Sequence, residues 1–500
     1  MNSFFINKIK PSEFKTIAYF TGTICIILGI FLLLPLIIAL IYDTPKYSQA
    51  FLISSIITIV VGLLIRANFT RNKIGELSLK GALIFVFSIW GVTALFTSLP
   101  YFFTGLLGPL DAIFQGMSGI TTTGFTLIDI QPIPRSIAFW EAFTQWIGGL
   151  GVILLIISVI PSSTSLKRLY FAEGRTEQMT PNIRHTSKIF IKLYIILTFL
   201  SILIYLLLGL PKFEALCYAL TAIATGGFSI FPSSVDYFNT PAIELATIII
   251  MIIGSTNFIL LYRLIKGNFK SYYKDVEVKT MFVLMAIATV LITISLLANQ
   301  TYGSDIIETL RHALFQVVSV ISSTGFTSTD VNIWPPFCYH IMIILMICGG
   351  GVCSTASGIK LYNVYLLFKS LWWEGQHIFQ SKNTIIHKKI YHDRRIINVT
   401  NKEIKSVFIY AILYIIIFIV SATIILIFTK DIQVAYVISA SAIGNIGIGP
   451  EFINIATPTV VKIVMIIEFW IGRIGVWPIL LLIVYEINKI NGTLEDKFEE

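Results

Sequence analysis

A chain of 500 residues that is 56% hydrophobic and 13% charged carries about half the charge of an ordinary soluble protein, which excludes a soluble domain and points to a membrane protein. The net charge of +9 requires no nucleic-acid partner, because the placement of Lys and Arg accounts for it as membrane topology. Five cysteines, an odd number with no CxxC or metal-ligand spacing, indicate neither a disulfide nor a zinc site.

In chain order, apolar stretches occur at about 16–42, 49–65, 81–104, 136–160, 189–210, 241–262, 280–298, 337–368, 406–428 and 459–487. Each is near or above the roughly 20 residues that a spanning helix needs, so ten spans are expected. Lys8, Lys10 and Lys15 precede the first stretch, which is too long for a signal peptide and lacks a small-residue cleavage site, so it is expected to remain as a helix. With the N-terminus on the cytoplasmic side, external loops hold only Lys46, Arg135, Lys212, Arg311 and Lys430, and Lys192, Lys360, Lys462 and Arg473 lie within spans. The other 27 of the 36 basic residues fall inside, as retention of Lys and Arg in the cytoplasm demands.

One short pattern recurs four times: ITTTGFT (120–126), AIATGGFS (222–229), VISSTGFT (320–327) and, more loosely, ASAIGNIGIG (440–449). The aligned glycines, Gly124, Gly227, Gly325 and Gly447, are 103, 98 and 122 residues apart. Each follows a full span and an apolar run of about 12 residues, too short to cross, which reads as a re-entrant helix. A second span follows each. Pro109 and Pro211 open two of the short helices, and Pro132/Pro134, Pro232, Pro335/Pro336 and Pro450 follow the glycine segments, where helix is hard to continue. The expected fold class is an all-α polytopic membrane protein with four pseudo-symmetric span, pore-helix, filter, span repeats around one pore, plus two extra N-terminal helices. The division is 1–80 for the extra pair, then 81–170, 171–275, 276–380 and 381–500 for the repeats.

Irregular backbone at membrane depth requires protein or a water-filled cavity to satisfy its polar groups, so four such segments imply a shared polar axis. They contain no ionisable side chain that could perform chemistry, yet they can present backbone carbonyls, which replace the water shell of a cation as in potassium-channel filters. Thr122, Thr123 and Gly124, then Thr225, Gly226 and Gly227, then Ser323, Thr324 and Gly325, then Asn445, Ile446 and Gly447 are the candidate K⁺ ligands. Short helices descending from outside would aim their negative carbonyl ends at the pore centre. Asp111, Glu214 and Glu308 near their N-termini serve either as caps or to make the outer vestibule negative.

This fourfold unit in one chain resembles the Trk/Ktr/HKT superfamily of potassium transporters. The two extra N-terminal spans and the motifs WIGGLGVILL (146–155), GGGVCSTASGIK (349–360) and GRIG (472–475) are most similar to its TrkH members. The resemblance implies K⁺ uptake across a bacterial inner membrane by a homodimer gated by a cytosolic nucleotide-binding subunit of the TrkA type. Glycine at position 124, where sodium-passing members carry serine, implies K⁺ over Na⁺. Two departures stand out: Ile448 replaces the phenylalanine of the other filters, and GRIGV lacks the acid often found after that motif.

The stretch 348–358, CGGGVCSTASG, interrupts the 337–368 span with residues that disfavour helix. The reading is an intramembrane gate built from Gly349, Gly350, Gly351, Ser354, Thr355, Ser357 and Gly358; the alternative is close helix packing through small residues. Arg473 costs about 2.5–3.5 kcal/mol at mid-membrane even by low estimates, so it is expected to bond carbonyls of the 349–358 loop and repel cations; the alternative is an ion pair with Glu468. The basic stretch 374–405, with Lys382, Lys388, Lys389, Arg394 and Arg395, either docks a regulatory ring or sets topology beside anionic membrane lipid. No G-x-G-x-x-G unit or P-loop occurs, so nucleotide sensing needs another polypeptide, and no organic cofactor is expected. His185, His312, His340, His377, His387 and His392 are scattered, so no enzyme activity is expected. Channel conduction, H⁺- or Na⁺-coupled K⁺ symport and a Na⁺ pathway remain open to sequence, although a continuous filter favours the first over alternating access.

Overall fold

A computed structural model describes residues 10–68, 76–129, 131–151, 182–379, 388–392, 395–449 and 452–476, with isolated positions 157, 168–170 and 478. Lys8, Lys167, Arg175, Lys382, His387, Arg394 and Pro450, and the second parts of the 136–160 and 459–487 stretches, lie outside the described residues.

Helix α1 (Pro11–Phe31), α2 (Leu33–Tyr42) and α3 (Pro45–Ala67) form the N-terminal segment. Pro11 and Pro45 sit in the first turn, where the missing N–H costs nothing. Glycines let α1 and α3 pack at close range: a Cβ on Gly22 would stand 2.7 Å from Gly62 O, and one on Gly62 2.8 Å from Gly22 O. Ser55 Oγ donates to Gly29 O at 2.7 Å in the same seam.

The order long helix, short helix, extended segment, half-length helix then runs four times. It comprises α4 (Leu79–Phe103), α5 (Pro109–Ile120) and α6 (Arg135–Leu150); then α7 (Ile183–Leu207), α8 (Lys212–Ile223) and α9 (Pro241–Ser255), followed by α10 (Phe258–Ile265) and α11 (Phe269–Lys274). Next come α12 (Val276–Ala298), α13 (Ile306–Ile321) and α14 (Pro336–Cys348), with α15 (Leu361–Phe379) beyond the loop. Last are α16 (Asn401–Thr429), α17 (Ile432–Ile443) and α18 (Thr459–Ile474). The short helices α5, α8, α13 and α17 are buried along most of their length, so the core of the molecule is protein around these helices.

Three sequence expectations bear comparison with the described residues. Ten spans were expected; among the described residues six helices are long and apolar enough to cross, or seven if a bent pair is counted as one, and the stretches 136–160 and 459–487 run on outside the described residues. In the other two stretches that lack one long helix, the helices after the glycine segments, of 15 and 13 residues, end at a bend and at the 349–358 loop, beyond which α15 resumes. Second, the 241–262 stretch is not one straight helix, because α9 and α10 are bent by 110° at residues 256–257, where Gly254, Ser255 and Thr256 give way to Asn257, whose side chain caps the new helix through Ile259 N–H at 2.9 Å. Third, the 374–405 stretch, for which no secondary structure was expected, contains a two-stranded antiparallel hairpin, β1 (Lys389–His392) with β2 (Arg395–Asn398), among described elements that are otherwise helical.

Candidate ion pathway

All four short helices end in the same way. Thr122, Thr225, Ser323 and Asn445 take left-handed φ values of 59°, 53°, 57° and 50°. Their N–H groups donate to the carbonyls of Gly119, Ala222, Val320 and Ala442 at 3.0–3.2 Å, and the next N–H in each segment donates to Ser118, Thr221, Ser319 and Ser441 at 2.8–2.9 Å. This is the Schellman closure of a helix, which glycine usually makes. A larger residue there costs on the order of 1–3 kcal/mol, so the four side chains must earn their positions through contacts.

Two residues further on, Gly124, Gly227, Gly325 and Gly447 have φ values of 91°, 80°, 87° and 84°. A Cβ on Gly124 would collide with Gly226 O, one on Gly227 with Thr324 O, one on Gly325 with Ile446 O and one on Gly447 with Thr123 O. The collisions run from the first segment to the second, third, fourth and back to the first, so the segments close a ring about one axis. In each, the glycine is partly open while the residues on both sides of it are buried. Phe125, Phe228, Phe326 and Ile448 all turn into the protein, so the isoleucine fills the same apolar place as the phenylalanines.

Two amide side chains that sequence reasoning gave no special place, or placed only as backbone ligands, brace the ring. Gln145 on α6 donates Nε2–H to Gly226 O at 2.6 Å and accepts from Phe228 N–H at 3.2 Å. Asn445 donates to Thr123 Oγ1 at 2.8 Å and to Phe469 O at 3.0 Å. Close approach of the half-length helices is equally demanding: a Cβ on Gly148, Gly254 or Gly472 would run into the terminal carbonyl of α5, α8 or α17.

None of Asp111, Glu214 and Glu308 is the capping residue of its helix. Asp305 and Asp431 are the capping residues of α13 and α17, while Asp111 accepts from Lys462 Nζ at 2.6 Å. Across the molecule, Glu244 lies 3.3 Å from Arg311. Each pair joins the half-length helix of one unit to the short helix of the next, with the signs exchanged.

The 349–358 loop lies against the ring at the C-terminal ends of the short helices. Thr225 Oγ1 donates to Thr355 Oγ1 at 3.0 Å, and Ser357 N–H donates to Ser323 Oγ at 3.3 Å. Gly349 and Gly358 have φ values of 70° and 85°, and Gly350 N–H donates to Ser357 O at 3.2 Å, so the loop doubles back on itself. Ser354 Oγ closes it from within onto Gly351 O at 2.6 Å. Its outer edge is sewn to the α9–α10 break: Gly351 N–H to Ser255 O at 2.9 Å, Thr355 N–H to Gly254 O at 3.2 Å, and Phe258 N–H to Cys353 O at 3.3 Å. Glu277 at the start of α12 accepts from Val352 N–H at 3.1 Å.

Arg473 reaches all three parts. One guanidinium nitrogen donates to Thr355 O at 2.6 Å and to Thr122 Oγ1 at 3.2 Å, the other to Gly148 O, and the group lies 5.4 Å from the Trp90 ring centroid. Glu468, the alternative partner, instead accepts from Ser439 Oγ at 2.5 Å. The unread participants are Gln145, Asn257 and Glu277. Asn257 carried a signal, since Ser-Thr-Asn after a glycine marks a helix end and a new cap; Gln145 offered only a polar residue inside an apolar run.

The model of a family described as a cation transport protein matches residues 47–491. The chain belongs to the TrkH family. An uncharacterised cation transporter of Methanocaldococcus jannaschii is 31% identical over 95% of this chain and 97% of that relative. The Trk system potassium uptake protein TrkH of Salmonella typhimurium is 29% identical over 94% of this chain and 98% of its own length. The crystal structure of the potassium transporter TrkH from Vibrio parahaemolyticus superposes with a TM-score of 0.81 at 25% identity, covering 94% and 98% of the two chains. TrkH membership makes this a multi-span membrane protein of a transport family, not an enzyme family.

Proposed function

We propose that the chain takes up K⁺ through the ring formed by its four glycine segments, gated by the 349–358 loop and Arg473. The observation that carries this reading is the closed cycle of glycine-to-carbonyl approaches from Gly124 round to Gly447. A continuous ring of backbone oxygens substitutes for hydration of a bare cation, and the partly open glycines among buried neighbours leave backbone rather than side chain facing the axis. The guanidinium beneath the ring repels a cation while its bonds to Thr355 O and Thr122 Oγ1 keep the loop against the filter.

The finer reading follows the TrkH relatives: residence in a bacterial inner membrane with the N-terminus in the cytoplasm, a homodimer, and control by a cytosolic nucleotide-binding subunit of the TrkA type. The ions K⁺ and Rb⁺ pass, and Na⁺ is disfavoured. Reversal potentials of the reconstituted protein in K⁺, Na⁺ and pH gradients test the reading. A potential that follows the K⁺ gradient alone supports conduction; one that shifts with pH or Na⁺ at fixed K⁺ indicates coupled symport or a Na⁺ pathway and overturns it.

A further inference from the structure

The loop that lies against the filter is linked through one helix start to the hairpin β1–β2. A small hydrophobic cluster, Val276, Leu366, Trp373, Ile390, Val399 and Val407, packs apart from the main core. It binds the hairpin to the first turn of α12, to α15 and to α16, making a foot with a core of its own. Within it, His392 Nδ1 lies 3.1 Å from Asp275 Oδ2, with both side chains buried. The His392 ring also meets the Tyr362 ring at a centroid distance of 4.7 Å, and the Tyr362 hydroxyl donates to Glu403 Oε1 at 2.9 Å.

Asp275 has a second task. It is the capping residue of α12, and its Oδ1 accepts the Glu277 N–H at 2.9 Å. Glu277, one residue into the helix, passes the connection on: Oε1 accepts from Val352 N–H at 3.1 Å and Oε2 from Asn257 Nδ2 at 3.4 Å. The carboxylate is buried, and a buried carboxylate is tolerated only while donors satisfy it. When the loop withdraws Val352 N–H, Glu277 loses one of those donors; conversely, a shift of the α12 start carries the acceptor away from the loop. Coupling between two such sites is reciprocal.

We infer that the hairpin Lys389–Asn398 is the handle of the gate, with Glu277 as the positioning residue through which the foot holds the 349–358 loop against the filter. This rests on the reading of that loop as the gate. Transmission requires an element with two arrangements that both sites bias, and the start of α12 is placed to be that element: Asp275 holds the hairpin through His392, and the Glu277 carboxylate lies directly on the loop at Val352.

The test measures Rb⁺ uptake by the full-length protein in proteoliposomes without any regulatory partner, for Glu277→Ala, Glu277→Gln, His392→Ala and the double variant Glu277→Ala/His392→Ala, beside a deletion of residues 350–356. Loss of a charge-assisted bond in the closed state raises uptake by roughly tenfold in Glu277→Ala, while Glu277→Gln, which keeps an acceptor for Val352 N–H, stays within about threefold. His392→Ala raises uptake to a lesser extent, and adds little to Glu277→Ala because the two act along one path. The ratio of Rb⁺ to Na⁺ uptake stays fixed throughout, which separates an opened gate from a loosened fold. If the deletion raises uptake but Glu277→Ala and His392→Ala do not, the foot is structural and the inference is wrong. If the deletion also has no effect, the gate reading itself falls. Should Glu277→Ala fail to fold, His392→Ala at the periphery carries the same test alone.

Discussion

Replacing Arg473 by alanine removes donors to Thr355 O at 2.6 Å, to Thr122 Oγ1 at 3.2 Å and to Gly148 O. Of these, only the bond to Thr355 is made with the loop, so in the proposed gate only that bond is lost selectively from the closed arrangement. A hydrogen bond from a charged group contributes about 1.5–3 kcal/mol, and each 1.4 kcal/mol is about a tenfold change in an equilibrium. The open fraction, and with it basal Rb⁺ uptake, should therefore rise by at least about tenfold, with more from the loss of a positive charge on the axis. Arg473→Lys and Arg473→Gln divide the two contributions. Lysine keeps the charge but cannot reproduce the planar fork, so it leaks in proportion to the bonding term; glutamine keeps a donor without charge and leaks in proportion to repulsion. The assay is tracer uptake into proteoliposomes matched for protein content and monodispersity. A monodisperse Arg473→Ala protein with the basal uptake of the parent would refute the latch.

The ring itself is tested by Gly325→Ala, which places a methyl group against Ile446 O at a φ of 87°: Rb⁺ uptake should fall to background while helix content by circular dichroism is retained, and sustained uptake would contradict the ring. Asp111→Lys sets two ammonium groups together where a part-buried 2.6 Å pair now stands and should lower the thermal midpoint; the exchange Asp111→Lys/Lys462→Asp should recover most of it. Gly62→Leu pushes α3 off α1, where a Cβ already meets Gly22 O at 2.8 Å, and overpacking of about 1–3 kcal/mol should appear as reduced thermal stability with the Rb⁺ to Na⁺ uptake ratio unchanged.

The recurring glycine segments were legible because backbone conformation is a local property: a position that needs φ near 85° selects glycine wherever it occurs in the chain. The short helices were equally legible, since Pro109 and Pro211 mark their starts and their runs are too short to cross. What hydropathy could not distinguish is an apolar stretch that continues from one that turns. Residues 241–262 are apolar on both sides of Ser255, and only the cap made by Asn257 reveals the 110° change of direction. The hairpin was hidden for a different reason. Its strands have four residues each and lie in a basic stretch whose charge dominates its composition. Gln145 illustrates the remaining limit: its partner Gly226 is 81 residues away, and nothing in either neighbourhood announces the other.

The ring is nearly fourfold in backbone and deliberately unequal in side chains, and the inequality has a physical use. At the left-handed position the first three segments carry hydroxyls, and each meets Arg473 or the 349–358 loop: Thr122 meets Arg473, Thr225 meets Thr355, and Ser323 meets Ser357. The fourth carries Asn445, whose amide turns the other way, to Thr123 of the first segment and to Phe469 O. A ring of four identical chains would have to place the same residue at every such position, and with it four arginines against the ring or none. One guanidinium bonded to one loop is available only to a chain that repeats its backbone without repeating its sequence. The strain of a non-glycine residue in the left-handed region, on the order of 1–3 kcal/mol at each position, is thus offset where the side chain closes the ring or anchors the loop.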